Sequence, residues 1–305
     1  MFESLVPFFC LLFVLISIFV ILWRINARKF ISSSTVASAY DSWTQDKLLE
    51  RLWGEHIHLG FYPPNNNSID FRKAKVQFVH ELVRWSGLDK LPRGSRILDV
   101  GCGIGGSSRI LAKYYGFNVT GITISSDQVQ RAIELTPNEL NCDFQVMDAL
   151  DLKFEDGAFD GVWSVEAGAH MNDKRKFADE MLRTLRPGGY LALADWNSRD
   201  LKTNPPSFFE KIILNQLLDQ WVHPNFISIN DFGYILDINK NSSGRVSFEN
   251  WNSYTNPSWL DSIIEGIRRP GAILSLGPFA IVKAIREVPT ILLMNWAFVN
   301  GLMEF

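Results

Sequence analysis

The chain has 305 residues, 47 % hydrophobic and 21 % charged, with no low-complexity tract, which excludes disorder as its dominant state and fits one large folded unit or slightly more. A formal net charge of -3 excludes a broad positive field for a nucleic-acid backbone, so nucleic acid is not an expected partner. Three scattered cysteines, Cys10, Cys102 and Cys142, are too few for a disulfide framework or a zinc site, and no metal is expected.

Residues 5–23 run without a charge. As a helix they would extend about 28 Å, close to the ~30 Å hydrocarbon core of a bilayer. Trp23 closes the run where an interfacial aromatic belongs, and Arg24, Arg28 and Lys29 follow it. No positive charge precedes the run, so it does not resemble a secretory signal. The expectation is a single transmembrane anchor with its basic flank over residues 1–29, a lipid bilayer as partner, and a cytoplasmic catalytic part by the positive-inside rule.

Three further zones follow. Residues 30–90 are helical and aromatic in pattern, with a turn at Pro63-Pro64-Asn65-Asn66-Asn67. Residues 91–198 alternate short apolar runs (96–100, 118–122, 143–147, 161–165 and 190–195) with helical stretches, which predicts an α/β fold with a mainly parallel sheet and helices on both faces. Residues 199–305 are again mainly helical. Their tail, 281–305, suits a core helix, an interfacial helix or a second span, with Arg268 and Arg269 just upstream.

The strongest chemical signal is Ile97-Leu98-Asp99-Val100-Gly101-Cys102-Gly103-Ile104-Gly105-Gly106, between an apolar strand and the helical stretch 107–114. Its glycines allow a sharp turn and let a ligand reach main-chain N–H groups at a helix N-terminus. A dinucleotide site uses G-x-G-x-x-G to seat a pyrophosphate; here the run is G-x-G-x-G-G with Asp99 two residues before it. That form resembles the first motif of S-adenosylmethionine (SAM) methyltransferases of class I, which have a Rossmann-like fold. In them the acid lies near the amino-acid part of the cofactor. Asp148 and Ala149 after the third strand, Val165 at the end of the fourth, and Leu185-Arg186-Pro187-Gly188-Gly189 before the fifth continue the resemblance in order.

The segments LDVGCGIGGSSR, GITIS, WSVEAGAHM and LRPGGYLALADW, with Trp53-Gly54-Glu55-His56-Ile57-His58-Leu59-Gly60 upstream, resemble the tocopherol and plastoquinol branch of these enzymes, related to sterol C-methyltransferases. The resemblance spans nearly all the chain. It implies SAM as methyl donor, with Asp99, Gly101, Cys102, Gly103, Gly105, Thr123, Ile124, Asp148, Ala149 and Val165 around it. It implies ring methylation of a prenylated benzoquinol, also with a solanesyl tail, feeding tocopherol and plastoquinone synthesis in a thylakoid or plasma membrane. No protein partner is implied. Thr123 stands where many class I enzymes hold the ribose with an acid. The tocopherol enzymes look like E-S-G-E-H-M where this chain has Glu166-Ala167-Gly168-Ala169-His170-Met171, which favours an earlier methylation step over γ-tocopherol.

Ring attack is helped by a base, because phenols titrate near ~10. His170 and Glu166 follow the fourth strand, where ligands of such sheets gather. His58 is the third candidate. Tyr40, Trp43, Trp53, His56 and Trp196 are candidate walls of an apolar substrate pocket, while His80 and His223 look structural. A γ-tocopherol or sterol C-methyltransferase is the alternative within this class, and a nicotinamide oxidoreductase and a non-catalytic, membrane-tethered SAM-binding scaffold are the alternatives from other classes.

Overall fold

The computed structural model describes residues 27–64, 69–239 and 244–305, with Ser17, Val20, Ile21, Trp23 and Arg24 before them. Helices α1 (Ser33–Asp46), α2 (Leu48–Trp53) and α3 (Phe71–Ser86) precede the sheet. Strands β1 (Arg96–Val100), β2 (Asn118–Thr123), β3 (Cys142–Val146), β4 (Phe159–Val165) and β5 (Leu185–Ala194) form it. Helices α4 (Gly106–Tyr115), α5 (Ser126–Leu135) and α6 (Lys174–Thr184) connect them. Then come α7 (Phe208–Gln220), α8 (Ile229–Asn239), α9 (Asn252–Thr255), α10 (Pro257–Arg268), α11 (Pro270–Leu274) and α12 (Pro278–Val299). A two-residue antiparallel pair, β6 (Asn197–Ser198) with β7 (Met303–Glu304), ties the end of the chain to the exit of the sheet.

The sheet order is β3-β2-β1-β4-β5, every pair parallel, so the order reverses at β1 and β4. Ligands of such sheets bind beyond the strand C-termini at that reversal. Side chains alternate across the sheet as a strand requires. Ile97 joins Phe78, Leu82 and Leu111 on the α3–α4 side, while Leu98 and Val100 join Phe177 and Met181 of α6 on the other. Each fully buried Leu or Phe here contributes about 1.5–3 kcal/mol.

All five expected strands form. The fifth begins earlier than the pattern indicates, because Leu185 pairs with Phe159 before the ladder resumes at Gly161 with Tyr190. Arg186, Pro187, Gly188 and Gly189 loop out between these pairs; Pro187 has no N–H to donate and Gly188 sits at φ 77°.

The N-terminal helices are strapped to the sheet by polar side chains. Ser125 donates to Asp41, Gln45 to Asp127 at 2.6 Å, Arg131 forks onto Glu50 at 2.6 and 2.9 Å, and Arg109 onto Glu55 at 2.7 and 3.1 Å.

The transmembrane anchor is corrected. Most of residues 5–23 lie outside the described residues, as do Asn65, Asn66 and Asn67 of the expected turn. Among the described residues no helix is long and apolar enough to cross a membrane, and the membrane-anchored placement that rested on such a helix falls with it. The described end of the run is turned inward. Trp23 is buried, its indole N–H donates to Thr290 at 3.1 Å, and its carbonyl accepts from Gln220 at 3.1 Å. Its ring is therefore a core contact rather than an interfacial anchor. Nor is the tail a span: α12 carries Lys283, Arg286 and Glu287, and buries Ile291, Met294, Ala297 and Phe298 in the core.

Candidate active site

β1 delivers Asp99 and then the glycine turn. Gly101, Gly103 and Gly105 all have positive φ (79°, 54° and 78°), and the Gly101 and Cys102 amides both donate to Ile122 O at 2.9 Å. The turn thus curls back on β2 and sends α4 away from the sheet. One cavity opens beside it, walled by Asp99, Gly101, Cys102 and Gly103 from the turn, Thr123 and Ile124 after β2, Asp148 and Ala149 after β3, and Val165 at the end of β4. Gly105 is not on this wall. It caps the N-terminus of α4, and a Cβ there would meet the Phe144 ring at 2.7 Å. Its neighbours Gly106 and Ser107 line the cavity instead.

Asp99 is buried, and burial pushes its carboxyl up to about 7; Ser108 donates to one oxygen at 2.6 Å. Such a group fits a positively charged ammonium partner, which would draw the pKa back down. Thr123 stands on the cavity wall at the position of the missing ribose acid. Its hydroxyl donates to Gln128 Oε1 at 2.7 Å, and Gln128 lines the cavity with its amide nitrogen beside Gly103. Gln128 lines the same cavity and was not singled out from the sequence. A Gln on a helix face looks like surface until α5 is seen to start above the pocket. The turn, the buried acid and this amide fit the amino-acid and ribose parts of SAM.

Beyond β4 the wall continues with Glu166, Ala167 and His170, the last residue of the 3-10 turn Gly168–His170. Glu166 has φ 54°, a left-handed conformation that costs a non-glycine residue about 1–3 kcal/mol and persists only where its surroundings hold it. The Glu166 amide donates to Ala194 O at 2.8 Å, and its carboxyl accepts from the Leu59 amide at 2.7 Å. Burial, helped by nearby Asp195, pushes this carboxyl up to about 8. Behind the turn, Lys174 donates to the Gly168 and Ala169 carbonyls and holds the loop in place.

His170 is half-buried among partners, and desolvation pushes its pKa down to about 4. Nδ1 faces Val222 O at 3.3 Å and Nε2 faces the Tyr40 hydroxyl at 2.8 Å. A carbonyl only accepts, so Nδ1 carries the proton and Tyr40 donates to Nε2. His223, which looked structural in sequence, stacks on His170 with ring centroids 4.1 Å apart. Burial, aided by Glu166 and Asp195, pushes the Tyr40 phenol well above its usual range.

The other candidates divide. His56 and His58 both line the cavity, but His58 has Nδ1 on Leu59 O at 2.7 Å and Nε2 on His56 Nδ1 at 3.2 Å, so both ring nitrogens are already engaged. Of the aromatic candidates, Tyr40 lines the cavity, whereas Trp43, Trp53 and Trp196 do not. Trp53 packs on Phe71 under the Lys75 ammonium, 4.0 Å from its ring centroid. Trp196 packs tilted and edge-on among Trp221, Trp259 and Phe298, and Trp43 sits edge-on to Tyr40 at 5.1 Å.

Residues 98–193 match a family described as a methyltransferase domain. The chain is 54 % identical over 284 residues to a 2-methyl-6-phytyl-1,4-hydroquinone methyltransferase of Synechocystis sp., covering 93 % of this chain and 89 % of that protein. It is 33 % identical over 270 residues to a chloroplastic tocopherol O-methyltransferase of Arabidopsis thaliana, covering 85 % and 76 %. Among solved structures, a cyclopropane synthase of Mycobacterium tuberculosis aligns with TM-score 0.74 at 14 % identity, over 88 % of this chain and 94 % of that one. A geranyl diphosphate C-methyltransferase of Streptomyces coelicolor aligns with TM-score 0.65 at 18 % identity, over 89 % and 94 %. These two likenesses are ones of fold.

Proposed function

The chain belongs to the SAM-dependent methyltransferases of the 2-methyl-6-phytyl-1,4-hydroquinone and tocopherol family, and from that premise we propose that it methylates a ring carbon of a prenylated 1,4-hydroquinone. It is an enzyme and its methyl donor is SAM. The substrate proposal is 2-methyl-6-phytyl-1,4-hydroquinone, with the solanesyl analogue as a second acceptor in the same site. The 54 % identity over nearly the whole chain supports it. One observation carries the chemistry: the glycine turn, Glu166 and the Tyr40–His170 pair wall a single cavity.

When bound at the turn, SAM supplies an electrophilic methyl group. The protein's own task is to move protons. A hydroquinone carbon becomes a good nucleophile when the neighbouring hydroxyl gives up its proton, and phenols hold that proton near ~10. An ordinary carboxylate is too weak a base. Glu166, pushed up to about 8, comes within reach of a phenol while still ionising near neutral pH. We assign Glu166 to the phenolic proton. Gln128 and Asp99 are proposed to hold the donor, and His56 and His58 to brace the turn from the lid side.

We also propose a lipid bilayer as the source of the substrate, met by exposed apolar side chains and not by a spanning helix. Phe208 and Phe209 at the start of α7, and Phe279 and Val282 at the start of α12, are largely exposed. A phytyl chain gains ~0.8 kcal/mol per buried CH₂ in lipid.

Labelled SAM given to the full chain with the phytyl hydroquinone and γ-tocopherol together tests the reading. Label in the dimethyl-phytyl product is expected; label in α-tocopherol moves the enzyme to another step, and label in neither overturns the acceptor. Supplying the hydroquinone in phospholipid vesicles tests the bilayer, since turnover confined to detergent micelles would remove it from the account.

A further inference from the structure

Resting on the quinol reading above, we propose that Tyr40 is a catalytic residue of the second proton transfer: its phenol oxygen takes the proton that the ring carbon loses after methylation, while its own proton passes to His170.

His170 cannot meet a substrate directly. Its Nδ1 is turned to the Val222 carbonyl and its Nε2 is covered by the Tyr40 hydroxyl at 2.8 Å. Neither ring nitrogen is free to meet a substrate. Tyr40 lines the cavity and, with its proton committed to Nε2, is the member of this pair that still has a lone pair to offer a substrate. A base at His170 therefore acts through the tyrosine.

The strengths of the two bases fit two different protons. The phenolic proton is held tightly and needs Glu166. The proton on the newly methylated carbon is held weakly, since its loss restores aromaticity. An imidazole held down near 4 is sufficient for it. The bonds balance. The ring C–H bond breaks and its electron pair closes the aromatic sextet. A new O–H bond forms on Tyr40 as its original one breaks toward Nε2, and Glu166 returns its proton to the ring oxygen. One methyl enters and one proton remains, on His170. The resulting imidazolium keeps its Nδ1–H on Val222 O and lies against the His223 ring, 4.1 Å away and tilted by only 24°. The relay joins α1 to the turn after β4, so it is complete only with α1 over the cavity.

Tyr40→Phe keeps the ring and removes the relay. With hydroquinone deuterated at the acceptor carbon, the wild type is expected to show no isotope effect on kcat, because loss of the ring proton is fast. Y40F is expected to lose ~10²-fold or more in kcat, to keep S-adenosylhomocysteine affinity, and to acquire a primary isotope effect as that step becomes limiting. A slow Y40F without an isotope effect, or a Y40F as fast as wild type, overturns the relay. If Y40F fails to bind S-adenosylhomocysteine, His170→Asn, which keeps the tyrosine, carries the same isotope measurement with the same two outcomes. A wild type that ignores the hydroquinone overturns the substrate reading and the relay with it, whereas wild-type turnover with no isotope effect in either variant overturns the relay alone.

Discussion

Glu166→Gln is expected to lower kcat/KM for the hydroquinone by ~10²–10⁴-fold while leaving the fold and SAM binding intact. The amide has the shape of the carboxyl and still accepts from the Leu59 amide, so the strained backbone at φ 54° keeps its support. Only the basicity is lost. The sign of the pH dependence follows from the direction of the shift. Burial favours the protonated, inactive form, so the active carboxylate accumulates as pH rises. Wild-type kcat/KM should climb close to tenfold per pH unit and level off at or below about 8, since the positive charge of a bound donor favours the carboxylate. Saturating SAM removes Asp99, itself held near 7, as a source of the limb. In E166Q the limb should vanish. A flat wild-type profile, or a limb that survives in E166Q, would take the first proton away from Glu166.

Gly101→Ala should abolish cofactor binding and destabilise the protein. Gly101 sits at φ 79°, and a methyl there would lie 2.3 Å from the Ala167 Cβ. Overpacking of this kind costs roughly 1–3 kcal/mol, and the left-handed backbone adds about 1 kcal/mol more. The displaced neighbour is the residue after Glu166, so the cofactor turn and the catalytic loop are disturbed together. Gly103→Ala is the control: its backbone is also left-handed, but an added methyl is 3.9 Å from its nearest contact, Gln128 Nε2. Thermal melts of both variants, with calorimetry of SAM binding for Gly101→Ala, check this. Equal losses in the two would mean that the Gly101–Ala167 contact is not what constrains the turn.

What the sequence makes legible here is what is local. The five strands follow from short apolar runs between turn residues, and the glycine turn from a spacing that needs three positive φ values. Glu166 and His170 are found by their place after the fourth strand. Other features join distant parts of the chain. Tyr40 and His170 are 130 residues apart, and no pattern near either shows that one caps the other. His223 reaches His170 only because the turn after α7 passes beneath it. Trp53 and Trp196 are large apolar rings, which fill a core as readily as a pocket, and both went to the core. Hydropathy misled for a related reason. A charge-free run has the composition of a span, but composition does not say whether its last tryptophan faces lipid or, as here, Thr290.

The central claim is that this cavity makes a carbon–carbon bond on a hydroquinone ring. The most direct test supplies SAM labelled with ¹³C in its methyl group, together with 2-methyl-6-phytyl-1,4-hydroquinone, and locates the label in the product by NMR. The account predicts an aryl methyl carbon on the ring position beside a free hydroxyl. A methoxy carbon would contradict it, because an oxygen acceptor loses only one proton and leaves the second, through Tyr40 and His170, without a task.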